Sequence, residues 1–364
     1  MTAYYLHMWI NRDIMPLLAN ERGVFIQILI GPRQCGKSSL LGVMSGRSFH
    51  TVTLDDLQAR LLANSDPALF FQQHPLPVVI DEVQYAPVLF PELKRLVDAL
   101  KKERLHKGLP VDIIVQVRLT GSNQILLDKN VKESLVGRAS YYYLNTLSVH
   151  EIINAFPDCS IATILFKGGW PELYTNAQLN VVKYLNDYIR SYIEKDIAHS
   201  AGIHKIHEFY TVLCILAART GQLINYSSIA KDSGVRSVTV REWISVLERS
   251  QLVFELPAFH TNLNKRLSKS GKLYFLDTGL AARLQGWAIS EPLLKSSQAG
   301  HLFETLVAAE IYKFCNNTGK SYKFSLWRSN NGEEIDFLLE NTKGEAIALD
   351  AKMGLHSVIT HERA

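Results

Sequence analysis

The chain has 364 residues, of which 47% are hydrophobic and 20% are charged. These proportions are ordinary for a folded globular protein and exclude a largely disordered or fibrous chain. At about 150 residues per domain, the length predicts two to three domains. No apolar run approaches the roughly 18 residues that a membrane span needs, so we expect no membrane partner. The formal net charge of +4 is too small to indicate nucleic-acid binding by itself.

The cysteines favour a reducing compartment. The four of them are far apart in the sequence, at Cys35, Cys159, Cys214 and Cys315. They form neither a CxxC metal pair nor a disulfide framework, so we expect a cytoplasmic protein. The first residues lack a basic segment followed by an apolar block, and we expect no secretory signal. His199, His204 and His207 have the spacing of a solvated helix face, and we assign them no metal.

The first third of the chain alternates apolar runs with helical patterns. Residues 24–30 predict a buried strand, followed by a glycine-bearing turn and a helix from about Lys37. Further strands are expected at 77–80, 111–119 and 140–144. Strands separated by helices indicate an α/β fold, with a parallel sheet covered by helices on both faces.

The segment after the first strand is Gly31-Pro32-Arg33-Gln34-Cys35-Gly36-Lys37-Ser38-Ser39, which contains a complete GxxxxGK[ST] motif. A strand before the motif and a helix after it are the context that the motif requires. The glycines allow a tight turn whose N–H groups point at phosphate oxygens, and the helix N-terminus favours negative charge. We therefore predict that the loop binds a nucleotide, that Lys37 reaches the β- and γ-phosphates, and that Ser38 ligates Mg²⁺.

Acidic residues follow the second predicted strand. Asp81 is expected to hold Mg²⁺ through water, and Glu82 to activate the attacking water as a base. Either Ser122 or Asn123, at the end of the next strand, is expected to bind the γ-phosphate or that water. Arg138 is expected to act on the γ-phosphate of a neighbouring subunit, which requires a homo-oligomer; the alternative is a surface salt bridge.

Six segments together resemble a family of AAA+ ATPases: GPRQCGKSSLL, VVIDEVQ, LTGSN, LVGRA, GGWPEL and YIEKDI. The similarity extends from about residue 8 to 353. The family has an AAA-14 type core, a winged helix and a C-terminal domain of unknown function, DUF4143, that is related to restriction endonucleases. The resemblance implies an ATP site with Glu82 as the acid, Asn123 or Ser122 as the sensor and Arg138 as the arginine finger.

The middle of the chain carries a local excess of positive charge. Residues 219–283 contain ten Lys or Arg and five Asp or Glu. Residues 226–235 and 237–248 predict a helix–turn–helix, with Ser237 as N-cap and one apolar face on the second helix. Its outward face would carry Thr239, Arg241, Glu242 and Ser245. Residues 252–256 and 271–276 would form a wing, whose loop cations suit phosphate contacts: Lys265, Arg266, Lys269 and Lys272. The alternative is a packing or protein-binding module.

The C-terminal acids are similar in order and spacing to a restriction-endonuclease-like site: Glu304, Asp336, Asp350 and Lys352. Such sites use carboxylates to hold Mg²⁺ and a lysine to position water. The alternative is a set of solvated acids on edge strands. The chain ends twelve residues after Lys352, so we expect a shortened domain here.

We therefore expect four regions: an ATPase core at 1–147, a helical lid or linker at 148–207, a winged-helix domain at 208–290 and an endonuclease-like α+β domain at 291–364. The leading functional hypothesis is an ATPase that uses Mg²⁺ and moves the winged helix, with duplex DNA as a candidate partner. The alternatives are an ATP-switched DNA-binding regulator with little turnover and an ATP-regulated nuclease.

Overall fold

The amino-terminal region is built on a five-stranded parallel sheet. The computed structural model describes residues 9–46, 48–108, 115–121, 135–259, 270–329 and 333–354. The strands are β1 (Ile26–Ile30), β2 (His50–Thr53), β3 (Val78–Asp81), β4 (Val117–Gly121) and β5 (Ala139–Tyr143). Their order in the sheet is β2-β3-β4-β1-β5, and every pairing is parallel. The predicted α/β fold is therefore confirmed.

Helices cover this sheet, as the alternating pattern predicted. They are α1 (Met15–Asn20), α2 (Lys37–Ser45), α3 (Leu57–Ser65), α4 (Pro67–Gln73) and α5 (Leu89–His106), with a 3₁₀ turn at Val83–Tyr85. Successive strand residues enter different cores because side chains alternate across a strand. Ile28 and Ile80 pack with α5, whereas Leu29 and Val79 pack with α1 and α2. Buried on both faces, these strands have the near-continuous apolar sequence that is typical of a parallel sheet.

Two details of the sheet differ from the sequence prediction. The strand predicted at 111–119 corresponds to β4, which comprises Val117–Gly121; residues 115 and 116 are not in the strand, and residues 111–114 lie outside the described part of the chain. Strand β2 was not predicted, because it is four residues long and its first two side chains are exposed.

A helical region follows the sheet. It comprises α6 (Val149–Ala155), α7 (Ile161–Lys167), α8 (Pro171–Thr175), α9 (Val181–Tyr188), a π-helical stretch (Ile189–Ile197) and α10 (Ala198–Ser200). Gly168 and Gly169 lie between α7 and α8. Gly168 has φ +72°, and a Cβ there would lie 2.1 Å from Asp277 Oδ1. The same carboxylate accepts the Gly169 N–H at 2.8 Å, so this glycine pair permits a close approach of distant segments.

The next region combines helices with a small antiparallel sheet. In chain order it contains α11 (Ile206–Ala218), β6 (Gln222–Leu223), α12 (Tyr226–Ser233), α13 (Ser237–Arg249), β7 (Val253–Leu256) and β8 (Lys272–Phe275). The sheet order is β6-β8-β7. The prediction of Ser237 as N-cap is wrong: Arg236 is the N-cap, with extended backbone and no side-chain cap, and Ser237 is the first helical residue.

The C-terminal region packs directly on that sheet. It contains α14 (Thr278–Leu284), α15 (Ser290–Leu294), α16 (Gln298–Thr318), β9 (Lys323–Arg328), β10 (Glu334–Glu340) and β11 (Ala346–Leu349). Strands β9, β10 and β11 form an antiparallel sheet. Phe254 and Tyr274 share a core with Phe337 and Leu326, so the two small sheets have one apolar interior.

Among the helices that the structure describes, none is both long and apolar enough to span a bilayer.

Candidate functional site

The glycine-rich segment connects β1 to α2 at the carboxyl edge of the parallel sheet, where ligands bind in such folds. Gly36 has φ +95° and Gln34 has φ +62°, so the backbone turns sharply before the helix. A Cβ at Gly31 would lie 2.1 Å from the carbonyl oxygen of Leu144, and only glycine fits there. The loop is therefore pressed against the end of β5.

Lys37 is buried beneath the loop to which it belongs. Its ammonium donates hydrogen bonds to the carbonyl oxygens of Gly31 at 3.0 Å and Pro32 at 2.8 Å. A phosphate oxygen is a stronger acceptor than these carbonyls because it is charged. The predicted phosphate contact of Lys37 thus needs only an exchange of acceptors within the loop.

The structure brings Ser38 and Asp81 together. The Ser38 hydroxyl donates to Asp81 Oδ1 at 2.9 Å, and the Thr120 hydroxyl donates to the same oxygen. Mg²⁺ prefers oxygen ligands and is commonly held by one or two protein groups together with water and phosphate. A serine hydroxyl and a carboxylate that already touch fit that ion.

Glu82 has an unusual backbone conformation. Its φ is +56°, in the left-handed region that a residue with a side chain seldom adopts, and such strain is concentrated at functional sites. The Glu82 N–H donates to the Thr120 hydroxyl at 3.2 Å, and the side-chain amide of Gln84 donates to the Glu82 carboxylate. Thr120 therefore contacts both acids. Neither Thr120 nor Gln84 was assigned a role from the sequence, although Thr120 is the penultimate residue of β4, the strand beside the acids.

Arg138 lies at the opposite edge of the sheet from the loop. It precedes Ala139, which pairs with Ile26 at the start of the parallel strands. Its guanidinium makes two hydrogen bonds to Asp98, at 2.8 and 2.9 Å, which raise the pKa of Arg138 and lower the pKa of Asp98. The surface salt bridge that the sequence left as an alternative is thus present. A role on a neighbouring subunit stays a prediction.

The two candidate sensor residues, Ser122 and Asn123, lie outside the described residues.

Arg12 is a loop-positioning residue that sequence reasoning missed. Its guanidinium is buried and donates to the carbonyl oxygens of Cys35 and Asn145, each at 2.7 Å. It also donates to Glu151 Oε1 at 3.1 Å. One cation thus holds the phosphate loop, the segment after β5 and the first turn of α6 together.

Glu151 is well compensated for its burial. Its carboxylate accepts the backbone N–H groups of Ser148 and Asp13, at 2.9 and 2.7 Å, and the Ser148 hydroxyl caps α6 in return. A buried ion pair is tolerated when its remaining hydrogen-bonding capacity is met. The only sequence signal is the capping box, Ser148 followed by Glu151 three residues later, which predicts a helix start but not the partner 139 residues away.

The predicted second site differs from its expected geometry. Glu304, on α16, and Asp336, on β10, do lie together, and Asp350 Oδ1 accepts the Asp336 N–H at 3.2 Å. However, the lysine among them is Lys272, from β8. Its ammonium lies 2.8 Å from Glu304, 2.5 Å from Glu334 and 3.4 Å from Asp336. Within the described ranges Lys352 makes no hydrogen bond, and the residue is exposed.

This position of Lys272 corrects its predicted place in a cationic wing loop. Lys272 is the first residue of β8 and is buried, so its charge is directed inward to carboxylates rather than outward to nucleic acid. Burial lowers the pKa of its ammonium. The hydrogen bonds to Glu304 and Glu334 raise it by more, so the pKa lies above the ordinary value. The other three predicted wing cations, Lys265, Arg266 and Lys269, lie outside the described residues.

The outward face of α13 matches its prediction in part. Arg241, Glu242 and Ser245 are exposed, whereas Thr239 is half-buried. The Arg241 guanidinium lies 4.2 Å from the centre of the Tyr226 ring. In the part of the chain that the structure describes, no group of three His, Cys, Asp or Glu side chains is arranged to hold a metal ion.

Family models match three successive parts of the chain. An AAA domain model matches residues 25–153 and includes the phosphate loop and both acids. Two domains of unknown function follow, DUF8612 at residues 160–291 and DUF4143 at residues 299–362. The chain therefore has an AAA+ ATPase core and a C-terminal DUF4143 domain, as its motifs predicted.

Among curated proteins, similar chains include an uncharacterised protein of Mycobacterium tuberculosis, 27% identical over 319 residues, which cover 86% of this chain and 67% of that protein. An uncharacterised protein of Haemophilus influenzae is 24% identical over 346 residues, with 86% and 79% covered.

Similar solved structures include the Walker-type ATPase of Pyrococcus abyssi, with a TM-score of 0.41 and 16% identity, covering 75% of this chain and 94% of that one. The ORC2 protein of Aeropyrum pernix in its ADP form has a TM-score of 0.30 and 11% identity, covering 69% and 88%.

Proposed function

We propose that this protein binds ATP with Mg²⁺ at the loop 31–39 and hydrolyses it. The observation that carries the proposal is the convergence of Lys37, Ser38, Asp81 and Glu82 at one edge of the parallel sheet. Ser38 and Asp81 are in direct contact, and Lys37 lies within the loop beside them. This set supplies a cation for phosphate, oxygen ligands for a metal, and a carboxylate next to them.

Each side chain has a distinct role in the proposed reaction. Lys37 exchanges its carbonyl partners for the β- and γ-phosphate oxygens, while the loop N–H groups hold the rest of the phosphate chain. Ser38 and Asp81 hold Mg²⁺, which supplies charge neutralisation of the phosphates when bound. Glu82 accepts the proton of the attacking water, and Gln84 holds its carboxylate until then.

We further propose that the predicted winged-helix domain, residues 208–290, moves when ATP is hydrolysed. Its element order supports this: a helix, a short strand, two helices and a pair of antiparallel strands. Gly234, with φ +71°, ends α12 and makes the turn before α13. The exposed Arg241 and the basic composition of 219–283 make duplex DNA a candidate partner.

Of the two alternatives, the ATP-switched DNA-binding regulator uses the same residues and differs only in turnover. The nuclease alternative receives less support. The Lys272 ammonium lies between the carboxylates that would hold its metal, so cleavage would require Lys272 to leave them.

The test of the proposed function is steady-state ATP hydrolysis by the full chain, compared with Glu82→Gln. We expect Mg²⁺-dependent turnover that falls about 100-fold or more in the variant, because loss of a catalytic base costs on this order. ATP affinity should be retained. Turnover by Glu82→Gln at the parent rate would overturn the assignment of the base.

The DNA proposal is tested separately. Duplex DNA should raise ATP turnover, and its retention should weaken steeply with salt because phosphate contacts release counterions. Arg241→Ala is the test variant, and Lys295→Ala, which removes an exposed lysine at the C-terminal end of α15, is the matched control. Equal DNA retention by both variants would argue against α13 as the contact.

A further inference from the structure

The apex of the phosphate loop, Arg33 and Gln34, contacts one helical run, which is formed by α9 and the π-helical stretch and comprises residues 181–197. Gln34 Oε1 accepts a hydrogen bond from the Tyr184 hydroxyl at 2.8 Å, and Arg33 Nη1 lies 2.7 Å from Asp196 Oδ2. Tyr184 belongs to α9 and Asp196 to the π-helical stretch that continues it without a break. Two adjacent loop residues thus contact the same element at points twelve residues apart.

The π-helical stretch explains how one element reaches both loop residues. Tyr184, Tyr188, Tyr192 and Asp196 are spaced four apart, and in a regular α-helix of 3.6 residues per turn such a series drifts around the axis. The wider π-turns of Ile189–Ile197 counter that drift, and such turns are frequent at functional sites. The ring of Tyr192 accordingly lies beneath Arg33, with 5.8 Å between the ring centre and Cζ. Two members of the tyrosine series, Tyr184 and Tyr192, thus contact the loop.

A cavity of about 590 Å³ opens at this junction. Its lining comes from the loop, from the residues that follow Glu82 and from the helical run, and includes Arg33, Gln84, Tyr85, Tyr192, Asp196 and His199. Arg33 also lies 3.4 Å from the Tyr85 hydroxyl through Nη2. The guanidinium therefore sits between the helical run and the segment that carries the proposed base.

The guanidinium of Arg33 has a raised pKa. Burial lowers the pKa of its guanidinium, but the charges of Asp196, Tyr85 and Glu82 raise it above the ordinary value. Tyr85, which the guanidinium contacts, is three residues after Glu82 in the chain, so Arg33 lies against the segment that carries the proposed base. Arg33 is also only four residues before Lys37 in the loop that cradles the phosphates.

We propose that Arg33 is shared between the Asp196 carboxylate and the terminal phosphate of a bound nucleoside triphosphate. This inference rests on the proposed ATP-binding function. A triphosphate draws the guanidinium from Asp196 and so removes one of the two contacts between the loop apex and the helical run, whereas a diphosphate leaves the ion pair intact. Arg33 is then a positioning residue whose contact with Asp196 depends on whether the third phosphate is present. The helical region therefore differs between the two nucleotide states.

The test compares the affinity of the full chain for Mg²⁺ with ADP and with a non-hydrolysable ATP analogue. We expect Arg33→Ala to lower the preference for the triphosphate about fivefold or more, the lower end of typical coupling between sites. Asp196→Asn should raise that preference by a similar factor, because its carboxylate no longer competes. The double variant should behave like Arg33→Ala, since Asp196 acts only through Arg33.

Asp187→Asn is the matched control, because Asp187 lies on the same helical run and is paired with Lys183 at 2.5 Å instead of the loop. It should leave the preference unchanged. Equal effects of Asp196→Asn on both nucleotides, or additive effects in the double variant, would overturn the sharing of Arg33. Failure of the parent chain to bind either nucleotide would instead remove the proposed function, and this inference with it.

A second measurement does not depend on affinity. Amide hydrogen exchange of residues 181–197 should rise with the ATP analogue and stay at the ligand-free level with ADP. In Arg33→Lys, which keeps the charge without the planar fork, the difference should shrink. The same exchange with both nucleotides in the parent chain would contradict loss of the contact between Arg33 and Asp196.

Discussion

Lys37 and Lys272 are both buried lysines at the centre of a polar cluster, but their ammonium groups have different partners. Lys37 donates to two carbonyl oxygens of its own loop, which carry no net charge. Lys272 faces three carboxylates that come from α16 and β10. The first lysine can exchange its partners for phosphate at little electrostatic cost, whereas removal of the second would leave three partly buried carboxylates without their cation. The loop cluster is thus arranged for a ligand, and the C-terminal cluster for internal cohesion.

The largest effect should come from removing the loop lysine. Lys37→Ala should reduce ATP affinity about 100-fold, near the upper end for one charge-assisted contact, while the free energy of unfolding changes little. Isothermal titration together with thermal unfolding measures both quantities. Retained affinity in a folded variant would remove Lys37 from the phosphate site and erase the contrast with Lys272.

The opposite pattern is expected at the second lysine. Lys272→Met should lower the free energy of unfolding by at most about 3–5 kcal/mol, the cost of breaking a fully buried pair, because it leaves partly buried carboxylates without their cation. Lys272→Arg keeps the charge and should lose less. Urea unfolding measures the difference. A loss in Lys272→Met no greater than that of an exposed lysine variant, such as Lys295→Ala, would mean that the carboxylates do not depend on this cation.

The same cluster should show a pH dependence at high pH. The folded pKa of Lys272 lies above its ordinary value, so its contribution to stability is complete below about pH 10.4 and is lost as the pH rises through the raised pKa. The parent chain should therefore lose up to about 1.4 kcal/mol per pH unit relative to Lys272→Arg, which stays charged. Urea unfolding of both chains from pH 8 to 11 tests this. A constant difference across that range would contradict the shift.

The smallest effect is expected at the half-exposed pair of Arg138 and Asp98. Asp98→Asn should cost at most about 1 kcal/mol of stability, because exposed ion pairs contribute little. The loss should shrink further in high salt. Thermal unfolding at two salt concentrations measures it. A loss as large as that of Lys272→Met would show that the difference in burial between the two ion pairs does not determine how much each contributes to stability.

The parts that could be predicted from the sequence are those with a local signal. The loop 31–38 and the acids Asp81 and Glu82 follow apolar strands within a few residues, and the order of strands and helices predicts where their ends meet. Lys272 and Arg12 carry no such signal, because their partners lie from 23 to 139 residues away in the sequence. A buried lysine at the start of a wing strand, such as Lys272, and a solvated lysine have the same local sequence pattern. Their different burial depends on packing that only the folded chain shows.

The contacts of Arg12 have a consequence for how the chain is produced. Its guanidinium supports the loop at Cys35, yet it precedes the first helix, and the next methionine in the chain is Met15. A product begun at Met15 would contain every residue of the phosphate loop and would still match the motif. It would lack the cation beneath that loop and leave the buried Glu151 carboxylate without its partner. The start codon therefore decides whether the phosphate loop, whose sequence is the same in both products, keeps the hydrogen bond from Arg12 that supports it.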